Sequence, residues 1–297
     1  MSPASNETSG RLPALIACGT IRLVQIRFGL GIRAKLAAAA RVGGDGVAAG
    51  RMFVERHALA TTRTAPRRTS GRVLCYHSLA QPAWGVNDVA PARFRQQLEL
   101  ALEAGYRFVP AAELARTGGG PRDLSITFDD GARSVLTTAA PILASYGIPY
   151  SLFVVSAWSE DGHRGMALSW DEICSLADQG AEIGNHSSTH PDFSTLSKDQ
   201  ALEEIGGASE LIESRTGIRT TTFAIPLGQS ANWTDDADDA ARELGYDVIY
   251  AQAEETRRSG TVARTFVTRY DSPRIFSALL RGRYDRWEEW VSPTANW

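Results

Sequence analysis

The chain has 297 residues, 43% hydrophobic and 22% charged, with 13 prolines. That composition is ordinary for a globular protein and excludes a collagen-like, coiled-coil or wholly disordered chain. The net charge of −3 makes the whole chain no nucleic-acid binder. Cys18, Cys75 and Cys174 stand far apart with no CxxC spacing. Neither a disulfide framework nor a cysteine zinc site is expected, and a reducing compartment fits.

From the N-terminus, residues 1–71 carry a charge of +8 and the remainder −11. A basic arm precedes an acidic body, and such an arm suits an anionic surface. The apolar stretch Leu12 to Leu30 is broken by Arg22, Gln25 and Arg27. It falls short of the roughly 18 uninterrupted apolar residues of a spanning helix. It also lacks the basic start of a secretory signal. Leu12, Ile16, Leu23, Ile26 and Leu30 share a helical face. Two readings stay open, a helix lying on a membrane surface and a plain surface helix or leader. The expected location is the cytoplasm, peripheral to the inner face of the membrane through residues 11–41. Thr61–Ser70 reads as a linker, so residues 1–71 are expected to form an arm and 72–297 a catalytic domain.

Beyond the linker, short apolar runs alternate with amphipathic segments. Expected strands are Val73–Tyr76, Ser125–Phe128, Tyr150–Val155, Glu182–Gly184, Thr222–Ile225, Asp247–Ala251 and Arg264–Val267. Expected helices are Ala92–Ala104, Ser134–Ser145, Trp170–Asp178, Lys198–Arg215, Asp235–Leu244 and Arg274–Arg281. Ser169 with Glu172, and Ser197 with Gln200, have the spacing of capping boxes. About seven alternations of strand and helix imply parallel strands with helices outside. A barrel and an open doubly wound sheet both satisfy that pattern.

In such folds functional residues gather at the C-terminal ends of strands. Three strand ends carry chemistry. The first is Ser125-Ile-Thr-Phe-Asp129-Asp130-Gly131. Adjacent carboxylates repel, so the pair needs a cation or a shared proton, and a helix N-cap accounts for only one of them. The second is Asn185-His186-Ser-Ser-Thr-His190, which holds two of the five histidines. With an Asp they form a two-His, one-carboxylate metal set with open positions. The third is Ile225-Pro226-Leu227-Gly228, where Pro and Gly straddle one backbone N–H. It reads as a simple turn or, beside a metal, as an oxyanion donor.

The order TFDDG, then HSSTH, then a strand ending in PLG resembles the polysaccharide deacetylase family (NodB homology domain, carbohydrate esterase family 4) over roughly residues 72–290. Val73-Leu-Cys-Tyr76-His77, Tyr146-Gly-Ile-Pro149 and Leu168-Ser-Trp-Asp-Glu172 resemble a bacterial subgroup of it. The resemblance implies a deformed barrel of about seven parallel strands with outer helices. It implies metal-dependent hydrolysis of an N- or O-acyl group on a sugar of a polysaccharide, oligosaccharide or glycolipid. It makes Asp129 the general base, and Asp130, His186 and His190 the ligands of one divalent ion, Zn²⁺ by default with Co²⁺ or Ni²⁺ as alternatives. Pro226, Leu227 and Gly228 then form the oxyanion and substrate turn. Other readings are an amidase on a small non-sugar amide and a degenerate carbohydrate-binding protein.

Two departures stand out. Ala224 occupies the position of an Arg that orients the base in better-studied members. The late histidine that serves them as general acid is absent, since no histidine follows His190. The proton for the leaving group must come from His77, from Asp129 or the activated water returning it, or be made unnecessary by a better leaving group. His77 is the choice, as the remaining histidine at an expected strand end. His163 lies in a glycine-flanked loop suited to a lid. Trp287, Trp290 and Trp297 suit core packing, a partner contact or sugar stacking.

Overall fold

A computed structural model describes residues 44–61, 69–251 and 260–284. Ten strands occur there: β1 (Arg72–Tyr76), β2 (Ser78–Leu79), β3 (Asp88–Val89), β4 (Arg107–Phe108), β5 (Asp123–Phe128), β6 (Tyr150–Val154), β7 (Glu182–Asn185), β8 (Thr222–Ala224), β9 (Val248–Ala251) and β10 (Thr261–Phe266). The order β1-β10-β9-β8-β7-β6-β5 closes on itself through β1–β5 pairing, and every pairing is parallel. This is a barrel of seven parallel strands, with β4 added on β5. Of the two sheet forms the sequence left open, closure decides for the barrel.

Helices surround it: α1 (Gly44–Leu59), α2 (Pro91–Glu103), α3 (Ala111–Thr117), α4 (Ala140–Tyr146), α5 (Ser156–Asp161), α6 (Trp170–Asp178), α7 (Lys198–Thr216), α8 (Asp235–Glu243) and α9 (Pro273–Leu280). Both expected capping boxes form, at Ser169 and Ser197. The expected helix Ser134–Ser145 divides into a π turn at Val135–Ala139 followed by α4. Pro141 lacks the N–H that a regular turn would use there.

Strand alternation separates two apolar layers. Leu74, Tyr76, Ile126, Phe128, Leu152 and Val154 face outward and pack with Phe94 and Leu98 of α2 and Ile173 and Leu176 of α6. Val73, Phe153, Ala224, Val248 and Tyr250 form a separate interior cluster. Gly184 is needed in that interior, because a Cβ there would overlap the Phe153 ring. By the same period of two, Cys75, Thr127, Asp129, His186 and Arg264 belong to the inner face, towards the C-terminal mouth.

Helix α1, assigned by the sequence reading to the arm, packs on the barrel. Met52 is buried with Cys75, Val86 and Phe266. Arg56 is fully buried, pairs with Asp271 and donates to the Phe266 carbonyl. Its guanidinium lies 5.0 Å from the Phe266 ring centre and 4.9 Å from that of Tyr284. Composition concealed this contact, because one arginine among many in a basic stretch carries no sign of burial. Among the described residues no helix is long and apolar enough to cross a membrane. Residues 11–41 and the three C-terminal tryptophans lie outside the described residues.

Candidate metal centre and active site

The two carboxylates diverge because the backbone turns sharply between them. Asp129 N donates to Tyr76 O at 2.9 Å, extending the β5–β1 ladder by one residue. Asp130 and Gly131 then take left-handed conformations, with φ of 70° and 66°. Asp129 thus points into the barrel while Asp130 turns to the mouth. Ser187, His190 and Leu227 also have positive φ, of 69°, 63° and 63°. Each such non-glycine residue costs on the order of 1–2 kcal/mol. Four of them in the three loops that carry the expected site mark where side-chain placement is bought with backbone strain.

Asp130, His186 and His190 come together. Asp130 Oδ1 lies 3.5 Å from His186 Nε2 and 3.6 Å from His190 Nε2. Ligands of a tetrahedral ion with bonds of about 2.0 Å stand about 3.3 Å apart. Oδ1 is buried and takes no hydrogen bond. His186 Nδ1 lies 2.8 Å from Ala224 O. Donation there leaves the Nε2 lone pair directed at the site, as metal-binding imidazoles require. The other Asp130 oxygen, Oδ2, accepts from Trp84 Nε1 at 2.7 Å. One oxygen is therefore occupied and the other left for an ion. The donor set fits a divalent metal.

Electrostatics agree with ionised acids and an imidazole available as a ligand. Burial by itself would raise the Asp130 carboxyl, but His186, His77 and His190 hold it well below the ordinary carboxylate range. Burial pushes His190 down to about 4 despite the nearby carboxylates. His186 is buried too, yet Asp129 and Asp130 raise it above its ordinary value.

Asp129 has a different environment. Arg264 Nη1 and Nη2 donate to its two oxygens, each at 2.7 Å. Nη1 also reaches Thr127 Oγ1 at 3.1 Å. Cys75 Sγ donates to Asp129 Oδ2 at 3.3 Å. Burial opposes ionisation, but Arg264, His186 and His77 bring the Asp129 carboxyl down to about 2. The arginine missing at Ala224 is thus replaced in space by one on β10, two strands from β5. Ala224 itself packs in the interior cluster and supplies the carbonyl that His186 meets.

His77 reaches the same mouth. It is buried, its Nδ1 has no hydrogen-bond partner, and it offers a ligand atom within 4.8 Å of those of Cys75 and Asp129. The Leu227 N–H finds no acceptor among the described residues. His163 stacks on Trp158 with ring centres 4.2 Å apart and meets Trp84 edge-on at 6.3 Å. Trp158 also stacks on His190, at 5.4 Å. The loop expected to be a lid therefore forms one aromatic wall of the site.

Sequence reasoning missed Arg264, Trp84 and Cys75 as site residues. Arg264 had a signal, a lone arginine inside a strand otherwise fit for burial. Trp84 had none, because its loop (Pro82–Asn87) shows no regular pattern.

Residues 117–249 match the model of the polysaccharide deacetylase family. The chain is 31% identical over 98 residues to a chitooligosaccharide deacetylase of Sinorhizobium fredii (strain NBRC 101917 / NGR234), covering 33% of this chain and 42% of that protein. It is 26% identical over 179 residues to YxkH of Bacillus subtilis (strain 168), covering 59% of this chain and 61% of the relative. The chain thus spans less than two thirds of the length of these curated relatives. Among solved structures, the fold resembles the Streptococcus pyogenes deacetylase PplD in complex with acetate, with a TM-score of 0.62 at 22% identity. That match covers 72% of this chain and 98% of PplD. IcaB from Ammonifex degensii gives a TM-score of 0.61 at 23% identity, with the same coverages. The matched family segment ends before β10 and begins after β1. It includes Asp129, Asp130, His186 and His190, and leaves out Cys75, His77, Trp84 and Arg264.

Proposed function

We propose that the protein is a metal-dependent hydrolase that removes an acetyl or other acyl group from an N- or O-acylated sugar. The observation that carries this reading is the division of the paired acids. Asp130 turns an unpaired oxygen towards two histidines, while Arg264 fixes Asp129 beside them. A divalent ion held by Asp130, His186 and His190, Zn²⁺ by ligand type, would acidify a water and polarise the acyl carbonyl. Asp129, kept ionised and oriented by Arg264, takes the proton of the attacking water. The Leu227 N–H, in the turn Pro226-Leu227-Gly228, donates to the oxygen of the former carbonyl as it gains charge. His77 gives a proton to the leaving nitrogen or oxygen. Trp158, His163 and Trp84 offer ring faces on which a sugar can rest. Residues 11–41, on the charge of their segment, meet the anionic inner surface of a membrane.

The test is acetate release from acetylated chitooligosaccharides by full-length protein, before and after chelation and metal return. Asp129→Asn is expected to keep the metal and lose turnover about 10²–10⁴-fold. Asp130→Asn is expected to weaken metal binding itself. Equal metal loss in both variants contradicts the division of roles.

A further inference from the structure

A second donor set lies beside the first, and the reaction above does not use it as a ligand set. Cys75, His77 and Asp129 each offer one ligand atom, all within 4.8 Å of one another. All three residues are buried. Cys75 on β1 and His77, one residue past its end, are two apart and share a face of the extended chain. The sulfur already points at the carboxylate, 3.3 Å from Oδ2. The His77 Nδ1 is buried without a partner. A sulfur, an imidazole and a carboxylate make a softer set than Asp130 with two histidines, and they suit a thiophilic ion.

We propose that Cys75, His77 and Asp129 form a second, inhibitory site for a thiophilic divalent ion, Zn²⁺ in the cell. On binding, the Cys75 S–H bond breaks and its proton passes to solvent. The sulfur electron pair forms the bond to the ion, and nothing is oxidised or reduced. Arg264 stays within reach of Asp129, and its positive charge opposes a second dication. Burial also favours the neutral Cys75 thiol. Both effects place this site below the Asp130 centre in affinity, so it fills second. Once filled, it engages the carboxylate and imidazole assigned above to proton transfer. Only this inhibitory consequence rests on the proposed function; occupation of the site does not.

The experiment titrates metal-free, full-length protein with Cd²⁺ and follows thiolate-to-cadmium charge-transfer absorption together with proton release. The first equivalent is expected to bind without a sulfur band, and the second to bring the band and a released proton. Cys75→Ser should abolish the band. His77→Ala, an independent variant should the first not fold, should weaken the second site, so that more Cd²⁺ is needed to reach half of the band. Cys18→Ser and Cys174→Ser should leave the band intact. Its absence from folded wild-type protein at saturating Cd²⁺, or its survival in folded Cys75→Ser, overturns the site. In parallel, acetate release should rise with the first equivalent of Zn²⁺ and fall about 10²-fold as the second site fills. Undiminished activity with the second site filled overturns the inhibitory role. A sulfur band in protein that never releases acetate refutes the proposed reaction and supports the site.

Discussion

Arg264 grips the Asp129 carboxylate with both terminal nitrogens, each 2.7 Å from its oxygen, across the width of β1. Both partners are almost wholly buried. The pair holds the acid ionised and fixes its plane, which a single-point contact would not do.

Arg264→Lys keeps the charge and loses the fork. Asp129 becomes free to rotate, and turnover is expected to fall about 10²-fold. The pH–rate profile separates this from simple misfolding. Asp129 is lowered to about 2 partly by Arg264. Loss of the two-point hydrogen bond lets its carboxyl rise towards the ordinary range, so Asp129 is protonated at higher pH. The acidic limb of the profile should therefore move upward in pH. A limb that stays in place while turnover falls would show that Arg264 does not act through Asp129.

Trp84 bears on the metal, not on the proton. Its indole N–H occupies Asp130 Oδ2 and leaves Oδ1 facing the histidines. Trp84→Phe preserves the ring and deletes the donor. Metal affinity should drop about tenfold, as for other lost contacts to a ligand. Competition with a chromophoric chelator measures it. Unchanged affinity would reduce Trp84 to a wall residue.

His77→Ala separates acid catalysis from structure. Amide hydrolysis should fall about 10²–10⁴-fold, because an amine cannot leave without a proton. An activated aryl ester, whose leaving group is already stable, should react nearly as in the wild type. Parallel losses on both substrates would mean that His77 supports the fold or the metal.

The buried Arg56–Asp271 pair predicts where the chain can be cut. Removal of residues 1–43 should leave thermal stability and turnover on a water-soluble substrate unchanged. It should abolish flotation with anionic vesicles, to which each basic residue near the surface contributes about 1 kcal/mol. Removal of residues 1–70 strips Arg56 from Asp271 and leaves its carboxylate without a cation, held only by Thr268. Arg56→Ala makes the same point at one residue, with an expected cost of about 3–5 kcal/mol. Equal melting temperatures for the two truncations would show that α1 contributes nothing to the fold.

Much of this was legible in the chain itself. Period-two strands, capping boxes at Ser169 and Ser197, and a doubled acid followed by paired histidines are local patterns. Local rules of spacing and capping set them whatever surrounds them. The sequence alone therefore determined the alternation of strand and helix, and singled out Asp129, Asp130, His186 and His190, which the barrel brings together. It left barrel and open sheet undecided, because closure depends on pairing between β1 and β5, which no local signal encodes. It also left Asp129 without an orienting cation. Ala224 and Arg264 sit on different strands, and only a closed barrel turns both inward. The place of Trp84 on Asp130 and of α1 over Cys75 was decided in the same way. Contacts across long sequence separations carry no periodicity, so they exist only once the tertiary structure has brought the strand ends to one mouth.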